Sequence, residues 1–161
     1  MKRFLFLLVI ITLSCCLLTA EAAIEIMSDH RQVSFGSMQL GEEKTLAQFG
    51  SYQNQITCSS NSNRPWYLKI HVLQPLASGR DTIPLDRFKW RVTSTNGHGT
   101  VAHAHEFIPF ALPPDVVYIS DGSEASGVPV FLQFTYQLEL PEAQVSGVYH
   151  TTIRFTLTEL L

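Results

Sequence analysis

The chain has 161 residues, with 11 Lys and Arg against 14 Asp and Glu and a net charge of −3 at pH 7. It carries no basic cluster of the kind that binds a phosphate backbone, so we expect no nucleic-acid partner. Three cysteines are too few and too unevenly placed for a disulfide-stapled scaffold.

The first 22 residues have the three-part pattern of a secretory signal peptide. Met1-Lys2-Arg3 is followed by an apolar run over 4–18 and by the small-residue cleavage site Ala20-x-Ala22. The run is about 15 residues, whereas a spanning helix needs roughly 20, so we expect no retained transmembrane helix. Cleavage leaves residues 23–161 as one exported domain in the periplasm, on the cell surface or secreted. That domain has 9 Lys and Arg, 13 Asp and Glu, and a net charge near −4.

The cysteines divide between the two parts. Cys15 and Cys16 lie in the apolar run, but neither has both the small and the aliphatic neighbours of a lipidation site. Cys58 is then alone in residues 23–161, which excludes an internal disulfide. We expect a buried structural thiol, since nothing near it in sequence would lower its pKa to make a nucleophile.

Residues 24–32 follow the cleavage site as either a first strand or a loose arm. A strand here would pair within its own sheet or with a neighbouring molecule. The second arrangement is strand exchange, a route to self-assembly between copies.

The rest of the chain alternates apolar and polar residues with a period of two, which is typical of strands with one solvated face. The alternating runs are 66–72, 88–92, 128–138 and 149–157. Turn residues separate them, for example Asn61–Pro65, Ser78–Asp81, Asn96-Gly97 and Asp121–Ser123. No stretch has sustained helical spacing. The pattern predicts an all-β, antiparallel, immunoglobulin-like β-sandwich of about eight strands, with an up-and-down β-barrel as the alternative.

The connection over 76–85 carries Arg80 and Asp81, and further charges follow it at Asp86, Arg87 and Lys89. Such a segment is either a solvated stretch with surface salt bridges or a recognition loop on a rigid sandwich. Under the second interpretation Arg80 and Asp81 contact a partner.

The segment Gly97–Phe107 is rich in histidine. His103 and His105 are two residues apart, which on a strand places them on one side, and His98 and Glu106 are close enough to complete a metal site. The same segment follows Asn96-Gly97 and is full of small residues, which also favours a polar loop. We predict His98, His103, His105 and Glu106 as candidate metal ligands, with Zn²⁺ or Cu²⁺ as the ions that suit imidazole.

No catalytic constellation is present. There is no Gly-x-Ser-x-Gly elbow, no phosphate-cradling glycine loop and no nucleophile–base pair, and the carboxylates are scattered through turns. We therefore expect no enzyme and no cofactor.

The last strand, Gly147–Thr158, has Gly-x-Tyr at Tyr149, an aromatic at Phe155 and a leucine at Leu157. With the earlier Trp66-Tyr67-Leu68, this resembles the WxL domains of bacterial surface proteins. The second Trp of that family is Phe155 here, and the family's tail is replaced by Thr158–Leu161. Chaperone–usher pilins are similar too, but they usually have a cysteine pair that residues 23–161 lack.

The WxL resemblance implies a β-sandwich that associates non-covalently with the cell wall, with binding near Trp66 and Phe155. Alternation places Trp66, Trp90, Phe134 and Phe155 on the apolar side of their strands, so we expect them in the core, where they could not contact a wall polymer. Tyr67, on the opposite side to Trp66, is the better candidate for a solvated aromatic contact.

Taken together, the sequence predicts a non-enzymatic exported envelope or surface protein with a structural or adhesive role. Its expected partners are a cell-wall polymer or other surface proteins, with Trp66, Tyr67, Arg80 and Asp81 as candidate contact residues. The alternative is a soluble ligand-binding module for carbohydrate or metal that uses the loop from His98 to His105.

Overall fold

A computed structural model describes residues 23–29, 32–46, 48–49, 52–104 and 106–160, and the predicted signal peptide lies outside them. The described residues form strands and two short 3-10 helices, Leu85–Arg87 and Gly122–Ser126. The strands are β1 (Ile24–Ser28), β2 (Glu43–Leu46), β3 (Gln48–Phe49), β4 (Tyr52–Ser60), β5 (Tyr67–Val72), β6 (Leu76–Ser78), β7 (Asp81–Ile83), β8 (Phe88–Thr95), β9 (Thr100–Val101), β10 (Ile108–Pro109), β11 (Asp115–Ile119), β12 (Val130–Glu139) and β13 (Ile153–Thr158).

Most strands belong to two antiparallel sheets. The first sheet has the order β1-β4-β12-β8-β10, with β2 also paired to β12 and β3 to β4. The second has the order β13-β5-β11-β9, and β6 and β7 form a separate hairpin. Neither sheet closes on itself among the described residues, so the all-β sandwich prediction is confirmed and the up-and-down barrel is not formed.

Alternation explains which side chains fill the space between the sheets. In β5 every second residue is buried, and β8 and β12 follow the same rule over most of their length. Trp66, Trp90 and Phe134 are each no more than 1 % exposed, as predicted for the core. Phe155 is half-buried and packs edge-on against Phe134, with 5.1 Å between ring centroids.

Element boundaries and the short strands differ from the prediction. The run expected from Val128 begins as a strand only at Val130, and Tyr149 precedes β13 rather than belonging to it. The strands β3, β9 and β10 have two residues each, too few to show any alternation in sequence.

Candidate functional site

The histidine-rich loop is attached to the sandwich through hydrogen bonds of its backbone, and the side chains of His98 and His103 have different surroundings. The imidazole of His98 is exposed, while its backbone N–H donates to Glu124. His103 lies elsewhere: its Nε2 is 3.4 Å from Asp115 Oδ2, and its ring meets Trp90 edge-on at 6.2 Å between centroids. His105 lies outside the described residues.

Across the described ranges no three His, Cys, Asp or Glu side chains are placed to hold a metal ion. The described part of the predicted ligand set, His98, His103 and the exposed Glu106, is therefore not gathered into a site. The four-residue set that includes His105 stays a prediction.

A buried carboxylate that sequence reasoning overlooked organises this end of the sandwich. Glu124 is only 3 % exposed. Its Oε1 accepts the backbone N–H groups of His98 at 2.5 Å and Gly99 at 3.3 Å. The Tyr118 hydroxyl donates to the same oxygen at 2.7 Å, and the Asp121 N–H donates to Oε2 at 2.8 Å. Four donors compensate for the loss of hydration that burying a carboxylate causes.

The strand β11 precedes Glu124 and has an irregular register at the residue that contacts the carboxylate, Tyr118. The register between β11 and β5 shifts between Val116 and Tyr118, which is a β-bulge, and Val117 and Tyr118 are consecutive buried residues. Burial and the hydrogen bond to Glu124 raise the pKa of Tyr118 above its usual range, so the phenol stays a donor.

Trp66 completes this group. Its ring lies 5.4 Å from that of Tyr118, and its Nε1–H donates to the backbone oxygen of Glu124 at 3.4 Å. We call Trp66, His98, Gly99, Tyr118 and Glu124 the Glu124 cluster. The Glu124 carboxylate, the Tyr118 hydroxyl and the Trp66 indole N–H all have partners within the fold, so the cluster joins a loop to the sandwich and its buried acid is not free.

The two glycines that flank His98 are explained by the same contact. A Cβ on Gly97 would overlap the Tyr118 hydroxyl, and a Cβ on Gly99 would overlap both that hydroxyl and the Ile119 backbone oxygen. Of the small residues that suggested a polar loop, these two glycines are there because the backbone packs directly on Tyr118.

A local signal for Glu124 is present in the sequence. Asp121 caps the 3-10 helix Gly122–Ser126, and Glu124 reaches back to the Asp121 N–H, which forms a reciprocal capping box. From the sequence Asp121–Ser123 was predicted as a turn only, and the Asp-x-x-Glu spacing was missed.

The four residues predicted to contact a partner lie in three different parts of the fold. Trp66 is fully buried, so its prediction as a partner contact is corrected: a side chain sealed in the core cannot reach a partner while the sandwich is folded. Tyr67 is half-exposed on the outer face of the second sheet. Arg80 and Asp81 are exposed at the β6–β7 hairpin, where Asp81 pairs in register with Ser78.

The Gly-x-Tyr segment before the last strand also has a structural explanation. The Tyr149 hydroxyl donates to the Val145 backbone oxygen and accepts from Gln144 Nε2, each at 2.7 Å. These bonds fix the loop that leads into β13. Phe155 and Leu157 then pair in register with the buried Ile70 and Leu68 of β5, which places both on the core-facing side.

The first strand presents an open sheet edge. All five residues of β1 are exposed, with Ile24 at 42 %, Ile26 at 40 % and Met27 at 63 %. The hydrogen bonds Asn61 N–H to Ala23 O and Asp29 N–H to Gln55 O bracket the β1–β4 ladder. Ala23 and Asp29 are thus hydrogen-bonded to β4 or to the residue directly after it, and hydrogen-bonded positions alternate along an antiparallel strand. Ile24 and Ile26 are at the positions between, so their backbone N–H and C=O groups point away from the sheet.

A large groove of about 1310 Å³ opens between the sheets near the loops 32–40 and 145–152. Its lining mixes apolar residues, such as Phe35 and Phe155, with polar ones, such as Asn54 and Thr151. The described lining contains no Asp, Glu, Lys or Arg, so it carries no carboxylate, ammonium or guanidinium group.

Cys58 is a buried thiol, as predicted. It is fully inaccessible, and its burial raises the pKa of the thiol to about 12. A thiol with that pKa is inert as a nucleophile near neutral pH.

Comparisons with known proteins leave the relationship open. No protein-family model matches the chain, and no characterised protein matches it in sequence. None of the helices in the described residues is long and apolar enough to cross a membrane.

Proposed function

We propose that this chain is an exported, non-enzymatic surface protein with a structural or adhesive role, and that copies associate through the edge of β1. The observation that carries the proposal is this edge, with its outward backbone groups and its exposed Ile24, Ile26 and Met27. An open edge of this kind is a template for another strand unless it is blocked.

The sequence before β1 supports the same role. The signal-peptide pattern ends at Ala22, directly before the strand, so export would leave β1 at the start of the chain. A single five-residue edge gives few hydrogen bonds. We therefore expect weak self-association, favoured where export or surface attachment concentrates the protein.

The test compares variants at one position. Ile26→Pro removes an outward N–H without breaking a bond to β4, and proline is tolerated at such edge positions. Ile26→Thr keeps the N–H and is the matched control. By analytical ultracentrifugation over a wide concentration range, we expect self-association in the natural sequence and in Ile26→Thr, and its loss in Ile26→Pro.

A second variant shows whether the register is right. The N–H of Met27 points toward β4, so Met27→Pro would break the internal ladder and lower the free energy of unfolding, unlike Ile26→Pro. A natural sequence that is monomeric at every concentration, or Ile26→Pro that associates normally, would refute assembly through β1.

A further inference from the structure

The outer face of the second sheet carries a group of basic side chains. Tyr67, Lys69 and His71 are the half-buried residues that alternate with the buried residues of β5. They therefore lie on the face away from the core. Arg154 of the neighbouring strand β13 is exposed and pairs in register with His71. We call Tyr67, Lys69, His71 and Arg154 the basic strip.

The sheet geometry brings its charges close together. Side chains directly opposite on an antiparallel pair have Cβ atoms about 5 Å apart, and diagonal neighbours are about 7–8 Å apart. Arg154 lies directly opposite His71 and diagonal to Lys69. Two permanent positive charges on one flat face repel each other, and a bound anion would relieve that repulsion.

Nothing among the described residues neutralises the strip. Arg154 has no ion pair or hydrogen bond there, and Lys69 Nζ donates only to an uncharged acceptor, the Leu160 backbone oxygen, at 3.3 Å. The register neighbours on the β11 side are Val116 beside Lys69 and Ile119 beside Tyr67, which carry no charge.

Two carboxylates on adjoining segments, after β13 and in β11, lie beside partners outside the strip. Glu159 lies 4.0 Å from Arg64, and Asp115 lies 3.4 Å from His103. The strip is thus an uncompensated basic surface on a chain whose net charge is −3. Such a local field attracts anions although the whole molecule is acidic.

We propose that the basic strip binds an acidic polysaccharide of the cell wall. Arginine and lysine pair with carboxylates, and the half-exposed ring of Tyr67 at the end of the strip offers an apolar face for a sugar ring. A flat sheet face suits an extended polymer, whereas small ligands are usually bound in concave pockets. This inference rests on the proposed surface role, because it names the polymer to which the protein would attach.

The experiment uses polygalacturonate as the acidic probe and dextran as the neutral one. The purified protein should bind immobilised polygalacturonate but not dextran, and added salt should weaken the binding because exposed charges are screened. Lys69→Gln and Arg154→Gln should each lower the affinity about two- to five-fold, as expected for exposed ion pairs. Tyr67→Ser should lower it without changing the salt dependence.

Lys89→Gln is the matched control, since it removes one half-buried positive charge from β8 in the other sheet. It should bind as the natural sequence does. Equal binding to dextran, no binding to polygalacturonate, or an equal loss in Lys89→Gln would overturn the proposal. Binding by the monomeric Ile26→Pro variant would show that the strip acts independently of assembly, so the two proposals fail or succeed separately.

Discussion

Removing the carboxylate of Glu124 should destabilise the fold more than any surface substitution. Glu124→Ala leaves three donors without their acceptor, the His98 and Asp121 N–H groups and the Tyr118 hydroxyl, whereas the Gly99 N–H keeps the Tyr118 oxygen at 2.7 Å. An unsatisfied buried donor costs about 1–3 kcal/mol. The loop at His98 and Gly99 is near solvent and can recover water, so we expect a total loss of about 3–5 kcal/mol rather than the full sum. Glu124→Gln keeps a carbonyl oxygen at Oε1 but places an NH₂ against the Asp121 N–H, so its loss should be about 1–2 kcal/mol.

The measurement is urea unfolding followed by tryptophan fluorescence, since the Trp66 indole donates to the Glu124 backbone. Glu142→Gln, on an exposed glutamate, is the control and should stay within about 0.5 kcal/mol of the natural sequence. A cost below about 1 kcal/mol for Glu124→Ala, or equal costs for Ala and Gln, would refute the view that this carboxylate holds the loop through several hydrogen bonds.

Two further predictions follow from the titratable groups. Because burial raises the pKa of Cys58 to about 12, thiol reagents should label it at pH 8 only as fast as the protein opens; rapid labelling of the folded protein would contradict this. The Ser123 N–H donates to the Asp121 carboxylate and holds the pKa of that carboxyl below its usual range. The carboxylate therefore stabilises the fold at pH values above the unfolded pKa of about 3.9, and this stabilisation is lost as the pH falls through the folded pKa. Asp121→Asn should therefore flatten the acid side of the stability–pH profile, and superimposable profiles would refute the assignment.

Alternation was sufficient to predict β5, β8, β12 and β13 and the core residues on them, but the nine-residue strand β4 was not among the predicted runs. A residue's face depends only on its position along its own strand, so Trp90 and Phe134 could be assigned to the interior without knowing their neighbours. The same local rule marks Lys69 and His71 as outward-facing. The two-residue strands could not be found this way, because they are defined by their hydrogen-bond partners alone.

The basic strip and the Glu124 cluster depend on register and on contacts between distant segments. Alternation in β5 and β13 does not say that Arg154 lies beside His71, because a shift of two residues would keep every side chain on the same face and change only the neighbours. Likewise, Glu124 accepts from Gly99 across 25 residues of chain. The histidines were the obvious feature of that loop in the sequence, but the contacts that attach the loop to Glu124 come from the backbone N–H groups of His98 and Gly99.

The β1 edge and the basic strip occupy different sheets, and this arrangement has a consequence for attachment. The strip alone offers two permanent charges and one aromatic ring, so one copy would hold an acidic polymer weakly and lose it at high salt. The strip lies on the outer face of the second sheet, whereas copies would join through the edge of the first, so we expect their strips to stay free. Several linked strips would then bind one polymer chain together, which can strengthen attachment by orders of magnitude without any new contact. Weak self-association and weak polymer binding would in this way reinforce each other at a surface, and the Ile26→Pro variant should bind polygalacturonate with the affinity of a single copy only.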